Sequence, residues 1–154
     1  FLDAYAYSTE GIVGFALGRK NKKSFLNAVK NSIQVSVITA LIISLLYLIF
    51  AKQIINIITS IEILRFISYK HIMWIVIIPP VASFCYQFDG IFIGSTQTKE
   101  IRNGMMISVV SFIITSIYLT KYFGNHGLWL SLLLFMIFRS LTLNYFFSRI
   151  LRKF

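Results

Sequence analysis

The chain has 154 residues, of which 57% are hydrophobic and only 13% charged, with a net charge of +10 and a single cysteine. A soluble domain carries about 25% charged residues, so water is not the main solvent here. The basic excess clusters in short gaps between apolar runs, where orientation in a membrane explains it before nucleic acid does.

Runs of about 20 apolar residues predict five membrane-spanning helices. The first, residues 1–18, is short and holds two acids, which suggests a helix whose start is cut off. The second, about 28–50, follows the basic stretch Arg19–Lys23, with Ser24 as its expected N-cap and Lys52 just past its end. Next, Thr59-Ser60-Ile61-Glu62 fits a capping box leading into Ile63–Ile67, a short amphipathic helix expected to lie in the interface. The third span, about 72–95, is interrupted by Pro79-Pro80, so a kinked or broken helix is expected. The fourth is about 104–123. The fifth, about 128–147, is entered through the turn-like Gly124-Asn125-His126-Gly127. No strand alternation recurs, so the expected fold is an all-α polytopic membrane bundle rather than a β-barrel.

Ten Lys and Arg residues fall in the gap after span one, the gap after span three and the C-terminal tail, against four on the other side (Lys52, Arg65, Lys70 and Lys121). That asymmetry places the C-terminus in the cytoplasm. Span one then descends from outside to inside. The chain begins at Phe1 without initiator Met, basic n-region or cleavage site, so it is expected to be a fragment preceded by further helices.

Asp89 is the most informative residue. It sits inside Gln87–Ser95, six residues before the apolar run ends. A carboxylate at that depth costs about 2.5–3.5 kcal/mol on insertion scales, so it is tolerated mainly where it faces protein or a wet cavity. A snorkelling, structural Asp89 is the bland alternative. In span one, Asp3, Tyr7, Glu10 and Gly14 are spaced by four, three and four, which puts them on one helical stripe. The stripe is either a packing face or the lining of a cavity that offers carboxylates to protons or cations. Gly14-x-x-x-Gly18 also matches the small-xxx-small pattern of closely packed helices.

Arg139 lies near the middle of span five. A guanidinium stays charged, so it cannot carry a proton; a structural ion pair or a cytoplasm-directed snorkel is expected in preference to a substrate ligand. Gln34 and Asn144 are expected to hydrogen-bond between helices. Cys85 reads as a small packing residue, and Trp74 and Trp129 as members of interfacial belts. His71 and His126 are too far apart in sequence to argue a metal site. No hydrolase elbow, phosphate loop or metal spacing occurs, so no enzyme is expected.

Phe1–Tyr7 with Glu10, Val13-Gly14 and Leu17-Gly18, then Phe88–Gly94, Arg102-Asn103 and Gly124–Trp129 together resemble the multidrug and toxic compound extrusion (MATE) transporters, most of all their DinF-like branch. The resemblance implies twelve helices in two lobes around a central cleft, with this chain as helices eight to twelve. It implies a bacterial inner-membrane antiporter that exports organic, often cationic compounds by alternating access. The coupling ion would be H+ or Na+, with no other cofactor. Asp89 corresponds to the acid of the tenth helix, which in some relatives takes part in cation coupling; Glu10, Asp3 and Tyr7 follow as candidates for the cleft, with Arg139 as a structural partner. The family's N-terminal lobe and its coupling acid have no counterpart here. The expected partners are membrane lipid, that missing lobe and small organic substrates, but no nucleic acid. Two rival readings are a truncated membrane fragment that does not transport and a flippase of lipid-linked sugars.

Overall fold

The computed structural model describes residues 2–152 and 154. Phe1, where the expected first span begins, and Lys153, one of the ten basic residues of the cytoplasmic set, lie outside the described residues. The described residues form six α-helices and no strand: α1 (Leu2–Gly18), α2 (Lys22–Ile58), α3 (Glu62–Tyr69), α4 (Ile72–Gly94), α5 (Thr98–Phe123) and α6 (Asn125–Leu151). The protein is an all-α membrane helix bundle. Helices α2, α4, α5 and α6 are long and apolar enough to cross a membrane; α1 has 17 residues.

Several boundaries differ from the sequence reading. Helix α2 runs to Ile58, about 55 Å at 1.5 Å per residue. It contains neither Gly nor Pro, and Lys52 by itself does not stop a helix. Its N-cap is Asn21, whose side chain accepts from the Ser24 amide, in place of the expected Ser24. The capping box at Thr59–Glu62 does not form. Thr59 instead closes α2, its hydroxyl accepts from the Ile61 amide, and α3 starts behind Ile61 without a side-chain cap. Arg65 reaches back from α3 to the carbonyls of Asn56 and Thr59, where a cation meets the negative end of α2.

Helix α4 is continuous through Pro79-Pro80, not broken. The prolines remove the amide donors for the carbonyls of Ile75 and Val76, and the Ser83 hydroxyl donates to the Pro80 carbonyl. Helices α5 and α6 are joined by Gly124 alone, not by a four-residue turn. Its φ of 55° and ψ of −134° suit only glycine. Three residues on, a Cβ at Gly127 would run into the Leu119 carbonyl, so the hairpin is as tight as its backbone permits.

Two further turns repeat one geometry. After α1, the Asn21 amide bonds the Ala16 carbonyl and the Lys20 amide bonds Leu17; after α4, Gln97 bonds Phe92 and Thr96 bonds Ile93. Both are six-to-one and five-to-two closures around a left-handed residue, Lys20 or Thr96. They lie at the same end of the bundle as the apolar core. That core joins Val13 and Ala16 of α1, Phe25 and Val29 of α2, Ile91 and Phe92 of α4, and Leu143 and Ile150 of α6. Phe25 packs on Phe147 and Phe154 there.

Helix α4 is the hub, packed against α1, α2 and α6 and touched by α5. In its most apolar stretch 39% is buried, against 11% in α5 and α6. The outer helices therefore turn their Leu, Ile and Phe side chains outward, as a bilayer demands. Helix α3 does the same on one face, with Ile63, Leu64, Phe66 and Ile67 all exposed.

Candidate functional site

The site is built on the approach of α1 to α4, which run in the same direction. A Cβ at Gly90 would meet the backbone of Ala6, and one at Gly94 would meet that of Glu10. Gly14 in turn lies against the Gly94 carbonyl, whereas Gly18 has open space around it. The small-residue contact thus pairs Gly90-x-x-x-Gly94 with Ala6, Glu10 and Gly14. The expected Gly14-x-x-x-Gly18 motif contributes only its first glycine. Without side chains in the way, the helices close to backbone contact, which sets Ala6 against Gly90 and Glu10 against Gly94 and leaves Glu10 and Asp89 lining one space.

Along one edge of this contact lies a cleft of about 180 Å³ lined by Asp3, Tyr7 and Glu10 of α1, Tyr86 and Asp89 of α4, and Arg139 of α6, with Ile101 of α5. Every residue singled out as a coupling or cleft candidate from the sequence lines this one space. The α1 stripe divides along its length: Asp3, Tyr7 and Glu10 line the cleft, and Gly14 is packing.

Asp89 and Arg139 form an ion pair at 2.9 Å, with side chains 18% and 12% exposed. The guanidinium donates through Nη2 at 2.9 Å and Nε at 3.2 Å, both to Oδ1 of Asp89. Its Nη1 is directed at Met105 Sδ, 2.8 Å away. A thioether is a weak acceptor, so one arm of the guanidinium is poorly matched and Oδ2 of Asp89 has no donor among the described residues. Asp3 and Glu10 carry no ion pair among the described residues. The cleft therefore holds three carboxylates and one guanidinium.

Behind the α1–α4 contact runs a polar seam toward α2. The Thr9 hydroxyl lies 2.8 Å from Gln87 Oε1 and from the Tyr5 carbonyl, and Thr39 meets the Tyr5 hydroxyl at 3.1 Å. Gln87 is fully buried, and its Nε2 has no partner among the described residues; the same holds for the hydroxyls of Ser36 and Ser44. These contacts, not Gln34 and Asn144, are the polar bonds that join α1 to α4 and to α2. Gln34 and Asn144 make no hydrogen bond among the described residues; Asn144 instead lines an apolar groove of about 510 Å³ between α2, α4 and α6. Cys85 is a buried free thiol.

The opposite end of the bundle holds an arrangement the sequence did not reveal. His71, before α4, and His126, in the first turn of α6, stack with ring centroids 4.4 Å apart. His71 Nδ1 lies 2.9 Å from the Ile67 carbonyl and so carries the proton; its Nε2 then accepts from the Asn125 amide nitrogen at 3.3 Å. His126 Nδ1 accepts from Trp74 Nε1 at 3.0 Å, which leaves its proton on Nε2. This clasp ties α4 to the α5–α6 hairpin. No group of three His, Cys, Asp or Glu residues that could hold a metal occurs among the described residues. The signal that could have found the clasp was weak: two histidines, each beside a helix start and each three residues before a tryptophan, Trp74 or Trp129.

The family model described as MatE matches residues 1–120. DNA damage-inducible protein F of Escherichia coli (strain K12) is 36% identical over 142 residues, a match that takes in 92% of this chain and 31% of that protein. The chain thus spans about a third of the length of the curated relative it matches. No solved structure matches.

Proposed function

The chain belongs to the MatE family, and from that premise we propose that it works as part of a longer cation-coupled antiporter, which exports organic, often cationic compounds across a bacterial inner membrane by alternating access. The observation that carries this reading is the cleft. Helices α1 and α4 deliver Asp3, Glu10 and Asp89 to one space, where α6 adds a single compensating guanidinium, an excess of negative charge inside a bilayer-facing bundle. Such an excess is expensive unless positive charge visits it. Asp89 is the group suited to hold a proton or a metal cation; Arg139 stays charged and provides its counter-ion. Tyr7 and Tyr86 offer aromatic faces at the same cleft, the chemistry that receives organic cations.

The test is exchange in proteoliposomes that hold the full-length exporter, with an H+ or an Na+ gradient imposed separately. Drug efflux driven by one of the two, and lost in Asp89→Asn while the protein still inserts, is the expected result, because the amide keeps the shape but cannot cycle a charge. Efflux that persists in Asp89→Asn at the wild-type rate would remove Asp89 from the mechanism.

The basic residues support an orientation with the core end in the cytoplasm. Arg19, Lys20, Lys22 and Lys23 at the first turn, Lys99 and Arg102 early in α5, and Arg149 and Arg152 at the end of α6 gather there. In a Cys85-free background, a cysteine at position 22 should label only from the cytoplasm and one at position 125 only from outside. Labelling of both from one side would refute this topology.

A further inference from the structure

The Asp89–Arg139 pair has features of a contact made to be exchanged. Both donor groups fall on one oxygen, Oδ1, instead of bridging the carboxylate as a fork on a fork. The third arm rests on the thioether of Met105. Two more carboxylates, Asp3 and Glu10, line the same cleft and hold no ion pair among the described residues. A guanidinium that leaves Asp89 therefore has other anions within the same space, which matters because an unpaired buried charge is strongly destabilising.

The size of the cleft points the same way. At about 180 Å³ it is smaller than the roughly 300–1,000 Å³ that drug-sized ligands occupy. In the part of the cleft that this chain forms, the space left with Arg139 on Asp89 suits a small cation or an ammonium-sized group.

We infer that Arg139 is a tethered stand-in for the exported cation: it holds Asp89 when no cargo is present, and cargo must displace it from that carboxylate. The inference rests on the cation-export reading and adds to it what sets affinity and turnover. The guanidinium lowers affinity for cargo by competing with it. It also speeds release, because its return neutralises Asp89 as the cargo departs. Arg139 is thus a positioning residue that acts through Asp89.

The test uses the full-length exporter and ethidium as the cationic probe, at mildly alkaline pH. Equilibrium binding is read by fluorescence anisotropy in detergent, and efflux kinetics are read in proteoliposomes. Arg139→Gln is expected to tighten ethidium binding and to lower its KM by about tenfold, the factor that 1.4 kcal/mol represents, while kcat falls. In an Asp89→Asn background the same change should leave binding unaltered, since the carboxylate for which the two cations compete is gone. Arg139→Lys keeps the charge but not the two-pronged contact. It is expected to retain most of kcat with a smaller gain in affinity, and it carries the test if Arg139→Gln fails to accumulate in membranes.

Unchanged ethidium affinity in both Arg139 variants would overturn the inference and reduce Arg139 to a structural residue. So would an equal gain in affinity with and without Asp89. Wild-type protein that binds ethidium and obeys these affinity rules but exports nothing would refute the transport reading and leave the competition standing. Binding to neither wild type nor variants would overturn both.

Discussion

The cleft and the histidine clasp are both polar arrangements between α4 and α6, yet they solve opposite problems. The clasp assigns every ring nitrogen that faces the protein one partner: Ile67, Asn125 and Trp74 leave each imidazole in a single tautomer, and the rings stack flat. No charge needs to be held. The cleft keeps permanent charges and leaves them mismatched, with one carboxylate oxygen used twice and two further acids unpaired among the described residues. A neutral, well-matched cluster is what joins elements that should stay together; an ionic, under-matched one is what a site needs when its partners change. The position of each fits this division. The clasp is at a bundle end beside the Gly124 hairpin, and the cleft lies along the α1–α4 contact, where glycines bring two backbones together.

This contrast can be broken most forcefully at Asp89. Asp89→Leu with Arg139 in place leaves a guanidinium, 12% exposed, without its partner. The full-length protein should lose about 3 kcal/mol or somewhat less, given the partial exposure, and the double variant Asp89→Leu/Arg139→Met should recover most of it. Thermal unfolding in detergent reads both. A single variant as stable as the double would mean that the cleft does not hold a charge that needs pairing.

A smaller effect is expected at the clasp. Trp74→Phe removes the Nε1 donor to His126 and keeps the ring, so the loss should be about 1 kcal/mol. Hydrogen exchange should show it as faster opening confined to the first turns of α4 and α6. A global loss as large as that of Asp89→Leu would erase the distinction between the two regions.

The smallest effect serves as the control. Arg149 and Glu100 form an ion pair at 3.0 Å, but the Arg149 side chain is 52% exposed and also covers the Phe146 ring. Arg149→Gln should cost about 1 kcal/mol and leave ethidium affinity alone, because the arginine end of the pair is solvated although the Glu100 side chain is only 10% exposed. A shift in affinity there would show that any basic residue tunes the cleft through net charge, and Arg139 would lose its special place.

Much of this was legible in the sequence because lipid makes sequence rules strict. Long apolar runs have to be helices, and four of the five expected spans coincide with helices long and apolar enough to cross a membrane. The one intramembrane acid of α4 and the Asp3–Tyr7–Glu10 stripe stood out because polar atoms in such runs have to face something other than lipid, and they do line one cleft. Local signals failed where tertiary contact overrides them. Pro79-Pro80 read as a kink or a break, and of the two the break is excluded: α4, held on several sides by α1, α2 and α6, stays continuous. Ser24 and Thr59 read as N-caps, but Asn21 caps α2, Thr59 closes its other end, and α3 starts behind Ile61.

What the sequence determined by itself is thus the class of solvent, the helical fold, the family resemblance and the short list of charges that cannot rest in lipid. Those follow from transfer free energies that depend on residue type and run length. Only the tertiary structure decided which charge meets which. Arg139 is fifty residues from Asp89, and His126 is far along the chain from His71 and Trp74. Nothing local encodes such pairings. They arise because α4 is clamped against α1 through glycines while the α5–α6 hairpin, closed by one left-handed Gly124, swings α6 back along it. Pairing across helices depends on the register in which backbones meet, and that register is a property of the packed bundle rather than of any segment within it.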